Sequence, residues 1–125
     1  MARILLAEDD GDIRDLVSFK LTAEGHQVTA TRDGSEAWEA FIADSFHLAV
    51  LDVMMPGKTG FELCELIKNH PTLSAARVVL LTARSQAADI ERGYAAGADD
   101  YILKPFSMAD LATRVAAVLE GTPPD

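Results

Sequence analysis

The chain has 125 residues, of which 49% are hydrophobic and 25% charged, the size and balance of one globular domain with a buried core. Its formal net charge of -9 argues against direct nucleic-acid binding, which needs a basic patch. Cys64 is the only cysteine, so an internal disulfide is excluded, and because no signal-peptide pattern or long apolar span occurs we expect a cytoplasmic protein without membrane contact.

Apolar runs and helical stripes alternate along the chain. Short apolar or β-branched runs predict strands, and longer stretches with apolar residues at helical spacing predict helices. In chain order the predicted elements are strand 3–7, helix 12–24, strand 26–31, helix 35–43, strand 47–51, helix 61–69, strand 77–81, helix 87–96, strand 100–103 and helix 107–120. Residues 121–125 (GTPPD) cannot continue a helix, so we expect a domain at 1–120 followed by a tail or the start of a linker.

The alternation of strands and helices predicts an α/β fold with a parallel sheet covered on both faces. The strands are apolar runs rather than strictly alternating patterns, which suits burial on both sides. The predicted buried stripes are Ile13, Leu16, Val17 and Leu21 in the first helix and Ala37, Phe41 and Ile42 in the second. Cys64 lies inside the third helical pattern and is expected to be packed in the interior.

Polar side chains follow four of the five predicted strands. They are Glu8, Asp9 and Asp10 after the first strand, Asp52 after the third, Thr82 after the fourth and Lys104 after the fifth. Taken singly, each has an ordinary explanation as a helix cap, a turn residue or a solvated charge. Taken together they converge on one edge, because ligands of open parallel sheets bind at the carboxyl ends of the strands.

This set of groups predicts phosphoryl transfer to an aspartate. Clustered carboxylates repel one another and call for a hard cation, and a few oxygen ligands favour Mg2+, which often bridges to a phosphate. An aspartate nucleophile can form an aspartyl phosphate, while an ammonium and a hydroxyl stabilise charge on the phosphoryl oxygens. Asp52 is therefore the predicted acceptor, with Thr82 and Lys104 as the stabilising groups.

A competing motif lies just beyond that aspartate. Gly57-Lys58-Thr59 has the sequence that ends a nucleotide-binding P-loop, whose full pattern is G-x-x-x-x-G-K-[ST]. The first glycine of the pattern falls on Asp52, and Pro56 removes a backbone N–H donor. Since a carboxylate there would repel the phosphates, we interpret the segment as a polar turn into a helix.

Four stretches, ILLAEDD, LAVLDVMMPGKTGFE, VVLLTAR and GADDYILKPF, resemble in order and spacing the receiver domain of bacterial response regulators. The resemblance covers essentially the whole chain. It implies a flavodoxin-like, doubly wound sheet of strand order 2-1-3-4-5 with five helices. It also implies a phosphoacceptor switch rather than an enzyme. Asp52 would take a phosphoryl group from a histidine kinase or phosphotransfer protein, and the domain would then control an effector.

The resemblance further implies roles for single residues. Asp9 and Asp52 would bind Mg2+ directly, Glu8 through water and Met54 through its backbone carbonyl. Thr82 and Tyr101 would form the switch, Lys104 would pair with the phosphoryl group, and the Lys104–Pro105 peptide bond would be cis. Met54 and Arg84 would flank the path of the hydrolytic water, and Asp10 would be a secondary acid beside the metal-binding pair.

Two rival functions stay open. A phosphatase of the haloacid-dehalogenase type also uses an aspartate nucleophile with Mg2+, but it needs a second aspartate two residues later, where this chain has Met54. A pseudo-receiver would keep the same fold purely as an interaction module.

For assembly we expect a monomer or weak dimer. Asp100 and Arg114 are suited to one of the ion pairs that hold dimers of winged-helix relatives together. Other positions where charged partners would be expected carry Ile90, Ala95, Ala116 and Glu120. One surviving surface pair contributes only about 0–1 kcal/mol.

Overall fold

The computed structural model describes residues 1–121, and within them five strands alternate with five helices. In chain order they are β1 (Arg3–Ala7), α1 (Gly11–Ala23), β2 (Gln27–Thr31), α2 (Gly34–Ile42), β3 (Leu48–Asp52), α3 (Gly60–Lys68), β4 (Arg77–Thr82), α4 (Ala87–Ala95), β5 (Asp100–Leu103) and α5 (Met108–Leu119). Each element overlaps its predicted counterpart. Of the predicted tail, residues 122–125 lie outside the described range.

Three helices begin one residue earlier than the apolar pattern predicts. Each starts at a glycine that directly follows a capping side chain: Asp10 before α1, Asp33 before α2 and Thr59 before α3. The caps accept backbone N–H groups of the first turn, which would otherwise have no partner. A periodicity search misses such a glycine because it has no side chain to contribute to an apolar stripe.

The sheet is parallel throughout, in the order β2-β1-β3-β4-β5, which confirms the predicted α/β fold. The register pairs Ala7 with Leu51, and Asp52 with Leu81. At the far side Thr82 pairs with Leu103. The carboxyl ends of β1, β3, β4 and β5 therefore meet at one edge of the sheet, and the residues that follow them become neighbours.

Two cores cover the two faces of the sheet. On one face, buried side chains of the sheet pack against α2 and α3, including Phe41 and Cys64. On the other face they pack against α1 and α5, including Val17 and Val115. The complete burial of Cys64 confirms the expectation that it is packed in the interior.

Two residues of the predicted buried stripes are instead exposed. Leu16 is 56% exposed and Ile42 is 49% exposed, and the neighbouring Phe19 on α1 reaches 76%. The reason is rotational, since one residue step turns an α-helix by about 100°. Once Val17 and Leu21 face the sheet, Leu16 cannot do so.

Along residues 1–121, no helix is both long and apolar enough to cross a membrane.

Candidate functional site

The carboxyl edge of the sheet brings the predicted polar residues together. Glu8 and Asp9 follow β1, Asp52 is the last residue of β3, and Thr82 is the last residue of β4. Lys104 follows β5, and its peptide bond with Pro105 is cis. Residues from four separate strands thus converge, because parallel strands place all their carboxyl ends on the same side.

Three carboxylates form an acidic cluster, which consists of Glu8, Asp9 and Asp52. Each offers an oxygen atom within 4.8 Å of the others. Glu8 and Asp52 are buried while Asp9 is exposed. Burial above all, and then the neighbouring Glu8, raise the pKa of Asp52 to about 8, although Lys104 acts in the opposite direction. A cation beside this cluster would favour the ionised form of Asp52 and so lower its pKa.

Lys104 supplies one positive charge to the cluster. Its Nζ lies 2.7 Å from Glu8 Oε1 and 3.5 Å from Asp52 Oδ1. Burial alone would lower the pKa of Lys104, but its contacts with Glu8 and Asp52 outweigh burial, and the pKa is raised. The side chain is therefore a permanent ammonium. One ammonium leaves three carboxylates incompletely neutralised.

The residues present fit a magnesium ion. Apart from the ion contact with Lys104, Glu8 Oε1 has no hydrogen bond among residues 1–121, although it is buried. The possible metal ligands in the acidic cluster are all carboxylate oxygens, which Mg2+ prefers. Their small number suits Mg2+ because this ion retains several of its waters when bound. Asp9, the exposed member, has access to an ion that enters from solvent.

We expect Mg2+ to raise the melting temperature of the protein and Asp9→Ala to remove most of that rise. The ion stabilises only the folded state, where the carboxylates are gathered. Without Mg2+, Asp9→Ala should be at least as stable as wild type, because one of the mutually repelling carboxylates is gone. Thermal unfolding across a Mg2+ titration measures both effects, with Asp15→Ala on the exposed face of α1 as the control. A magnesium response that survives Asp9→Ala would contradict the proposed ligand set.

Thr82 and Tyr101 are linked through the segment that follows β4. The Thr82 hydroxyl oxygen accepts the backbone N–H of Arg84 at 3.1 Å. The Tyr101 hydroxyl donates to the Arg84 backbone carbonyl at 2.8 Å, and the ring is buried. Gly93 of α4 makes room for that ring, since a Cβ there would lie 2.7 Å from it. A displacement of Thr82 would therefore affect the hydrogen bond between the Tyr101 hydroxyl and the Arg84 carbonyl.

Met54 and Arg84 contact each other. The Arg84 Nη1 lies 3.4 Å from the Met54 sulfur, and the Met54 side chain is largely exposed. Arg84 is also held by Asp89 of α4, which accepts from its Nε at 3.0 Å. Asp89 is not among the residues predicted from the sequence. Its place in the first turn of α4 is the only sequence signal for it, and that position is common for acids of any role.

Asp10 is turned away from the acidic cluster. Its side chain accepts the backbone N–H groups of Asp12 and Ile13 at 3.0 and 3.1 Å and so caps α1. Its own N–H donates to Glu8 Oε2 at 3.2 Å. The structure thus supports the ordinary explanation of Asp10 as a helix cap.

Comparisons with known proteins agree on one family. The model of the response regulator receiver domain matches residues 4–116. The chain is 41% identical over 116 residues to the transcriptional regulatory protein GltR of Pseudomonas aeruginosa, covering 93% of this chain and 48% of that protein. It is 43% identical over 116 residues to the transcriptional regulatory protein CseB of Streptomyces coelicolor, again covering 93% of this chain and 48% of the relative. The chain thus spans about half the length of these curated relatives.

Among solved structures, the BeF3-activated DrrB receiver domain superposes with a TM-score of 0.88 at 37% identity. The match covers 96% of this chain and 98% of that one. Fold and sequence therefore point to the same class of domain.

Proposed function

The chain belongs to the response regulator receiver domain family, and we propose that it is a phosphoacceptor switch whose acceptor is Asp52. The observation that carries this proposal is the acidic cluster, with Lys104 Nζ 3.5 Å from Asp52 Oδ1. The proposed domain spans residues 1–120, with 121–125 as a tail or the start of a linker.

In the proposed reaction, a carboxylate oxygen of Asp52 attacks the phosphorus of a phosphohistidine, and the P–N bond to the histidine breaks. The product is an aspartyl phosphate, and the histidine nitrogen keeps the electron pair of the broken bond. Asp9 and Asp52 would hold Mg2+ directly, Glu8 through water and Met54 through its carbonyl. When bound, the ion supplies positive charge for the phosphoryl oxygens and lowers the pKa of Asp52.

Lys104 and Thr82 would stabilise the product. The Lys104 ammonium, now shared between Glu8 and Asp52, would pair with a phosphoryl oxygen. The Thr82 hydroxyl currently accepts from Arg84, so its own proton is available to donate to the new group. Movement of Thr82 would shift the Arg84 segment that anchors the Tyr101 hydroxyl. This is the proposed route from phosphorylation to a change of surface.

The partners we propose are a histidine kinase or phosphotransfer protein upstream and an effector protein or domain downstream. An apolar hollow lined by Ile13, Leu16, Pro105 and Phe106 lies beside Lys104 and offers a donor protein a docking surface next to the acceptor. The curated relatives are transcriptional regulators about twice as long, which supports an effector as the output. The net charge of -9 argues that this domain itself does not bind nucleic acid, and we propose a cytoplasmic location.

The direct test is incubation of the purified protein with acetyl phosphate and Mg2+, followed by intact mass measurement. A gain of one phosphoryl group, reversed by hydroxylamine, supports the switch. Absence of label in the presence of Mg2+ would favour the pseudo-receiver. Continuous turnover of p-nitrophenyl phosphate would favour the phosphatase, although Met54 stands where that class needs its acid.

We expect phosphorylation not to produce a tight dimer held by Asp100 and Arg114. The two residues already pair within one chain, with Arg114 Nε and Nη2 donating to Asp100 at 2.8 and 2.6 Å. Asp100 is buried, so an intersubunit pair would first have to break this bidentate contact. Sedimentation with beryllofluoride and Mg2+ measures the outcome. A dimer tighter than about 1 μM that Arg114→Ala dissolves, with the variant still folded by circular dichroism, would refute the expectation.

A further inference from the structure

The loop between β3 and α3, residues 53–59, rests on the first turn of α2. The Gly34 N–H donates to the Pro56 carbonyl at 3.1 Å. Lys58 passes so close that a Cβ on Gly34 would lie 1.9 Å from its carbonyl oxygen and 2.6 Å from its nitrogen. Only a residue without a side chain allows this approach. α2 contributes no side chain to the acidic cluster, but its first residue contacts the loop that follows Asp52 and limits how closely the loop approaches the helix.

The same loop is also held where α3 begins and by one side chain that is buried in the core. The Gly60 N–H donates to the Val53 carbonyl at 3.1 Å, and a Cβ on Gly60 would lie 2.6 Å from the Asp52 carbonyl oxygen. Met55 points into the core and is buried. These contacts join the loop to the end of β3. We therefore expect a displacement of the loop at Lys58 to shift the backbone of residues 52–54 as well.

We propose that Gly34 is a positioning residue for the phosphoacceptor site, acting through the β3–α3 loop on the Met54 carbonyl and the Asp52 carboxylate. This inference rests on the proposed function, in which both groups bind Mg2+. The Met54 N–H donates to Asp52 Oδ1 at 3.3 Å, so a shift of the Met54 backbone also acts on the Asp52 carboxylate. Gly34 touches neither substrate nor metal, and its effect is on where the ligands stand.

Replacing Gly34 with alanine should displace the loop rather than the helix. The separation between the new Cβ and the Lys58 oxygen must open from 1.9 Å to at least 3.0 Å. α2 cannot recede freely, because Ala37 and Phe41 on the same helix are fully or almost fully buried against the sheet. The loop lies at the surface, with Pro56 and Gly57 exposed. A misplacement of about 1 Å at a reacting group can lower a rate by about a hundredfold.

The test compares wild type, Gly34→Ala and Gly25→Ala. Gly25 has a φ of +94° with nothing within 4 Å of a new Cβ, and it lies between α1 and β2, at the opposite edge of the sheet. Gly25→Ala therefore strains the backbone without touching the site. For each protein, the Mg2+ midpoint is the Mg2+ concentration that gives half of the maximal rise in melting temperature. The rate of labelling by acetyl phosphate is measured well below the melting temperature.

The expected result is a Mg2+ midpoint raised and a labelling rate lowered by about tenfold or more in Gly34→Ala, with both unchanged in Gly25→Ala. Loss of melting temperature alone, with wild-type midpoint and rate, would overturn the inference. If Gly34→Ala does not fold, Gly57→Ala presses the same loop against the neighbouring residue of α2, since its Cβ would lie 2.8 Å from Ser35 Oγ; its φ of +80° adds backbone strain of the kind that Gly25→Ala controls for. A wild-type midpoint there overturns it equally. Failure of the wild type itself to bind Mg2+ or to label would instead overturn the proposed function.

Discussion

Asp52→Asn is expected to abolish labelling by acetyl phosphate, whereas the wild type gains the mass of one phosphoryl group. Asparagine keeps the size of the side chain but has no anionic oxygen, so it cannot attack phosphorus. Asp52 is buried beside Glu8 and Lys104. Replacing its carboxylate with an amide of the same size should leave the surrounding pocket in place. The measurement is intact mass after incubation with acetyl phosphate and Mg2+, with hydroxylamine treatment to confirm an acyl phosphate.

Asp15→Asn is the matched control, because it makes the same chemical change on the exposed face of α1. It should label as the wild type does. If the Asp52→Asn variant labels equally well at another residue, Asp52 is not the acceptor.

The aspartyl phosphate should be long-lived, with a half-life nearer an hour than a second. Met54 offers only a thioether, which holds water poorly, and Arg84 has no acceptor with which to activate a water. In the structure the two side chains contact each other, and Arg84 is also bound to Asp89. We therefore expect neither side chain to assist the attack of water, and we expect the bulk of Met54 to shield the phosphorus.

Met54→Asn should shorten that lifetime several-fold. The amide adds a donor and an acceptor that can position a water, and each 1.4 kcal/mol of such help is worth about tenfold in rate. The measurement is loss of label from purified phosphoprotein in magnesium buffer without kinase. Met54→Leu, which keeps the bulk without polar atoms, should behave like the wild type. A wild-type half-life of seconds, or equal lifetimes for Met54→Asn and Met54→Leu, would contradict this account.

The secondary-structure elements and the edge of the sheet that carries the polar residues were predictable from the sequence. Apolar periodicity defines strands and helices locally, and parallel strands place the residues after them on one side, so Glu8, Asp52 and Lys104 were predictable as neighbours. The order of the strands did not follow from periodicity. It followed from the resemblance carried by the motifs, because local patterns do not specify which strands pair.

Which side chains are buried and which residues of different elements contact each other depend on tertiary packing. Leu16 faces solvent although it fits an apolar stripe, because the rotation of α1 is set by packing of Val17 against the sheet. Arg84 binds Asp89, and Gly34 packs closely against Lys58 of the β3–α3 loop. Both contacts join segments that are separate in the sequence, so local patterns do not predict them. Such contacts depend on distances of about an ångström between elements, and these are fixed by the close packing of the whole core rather than by any one stretch of sequence.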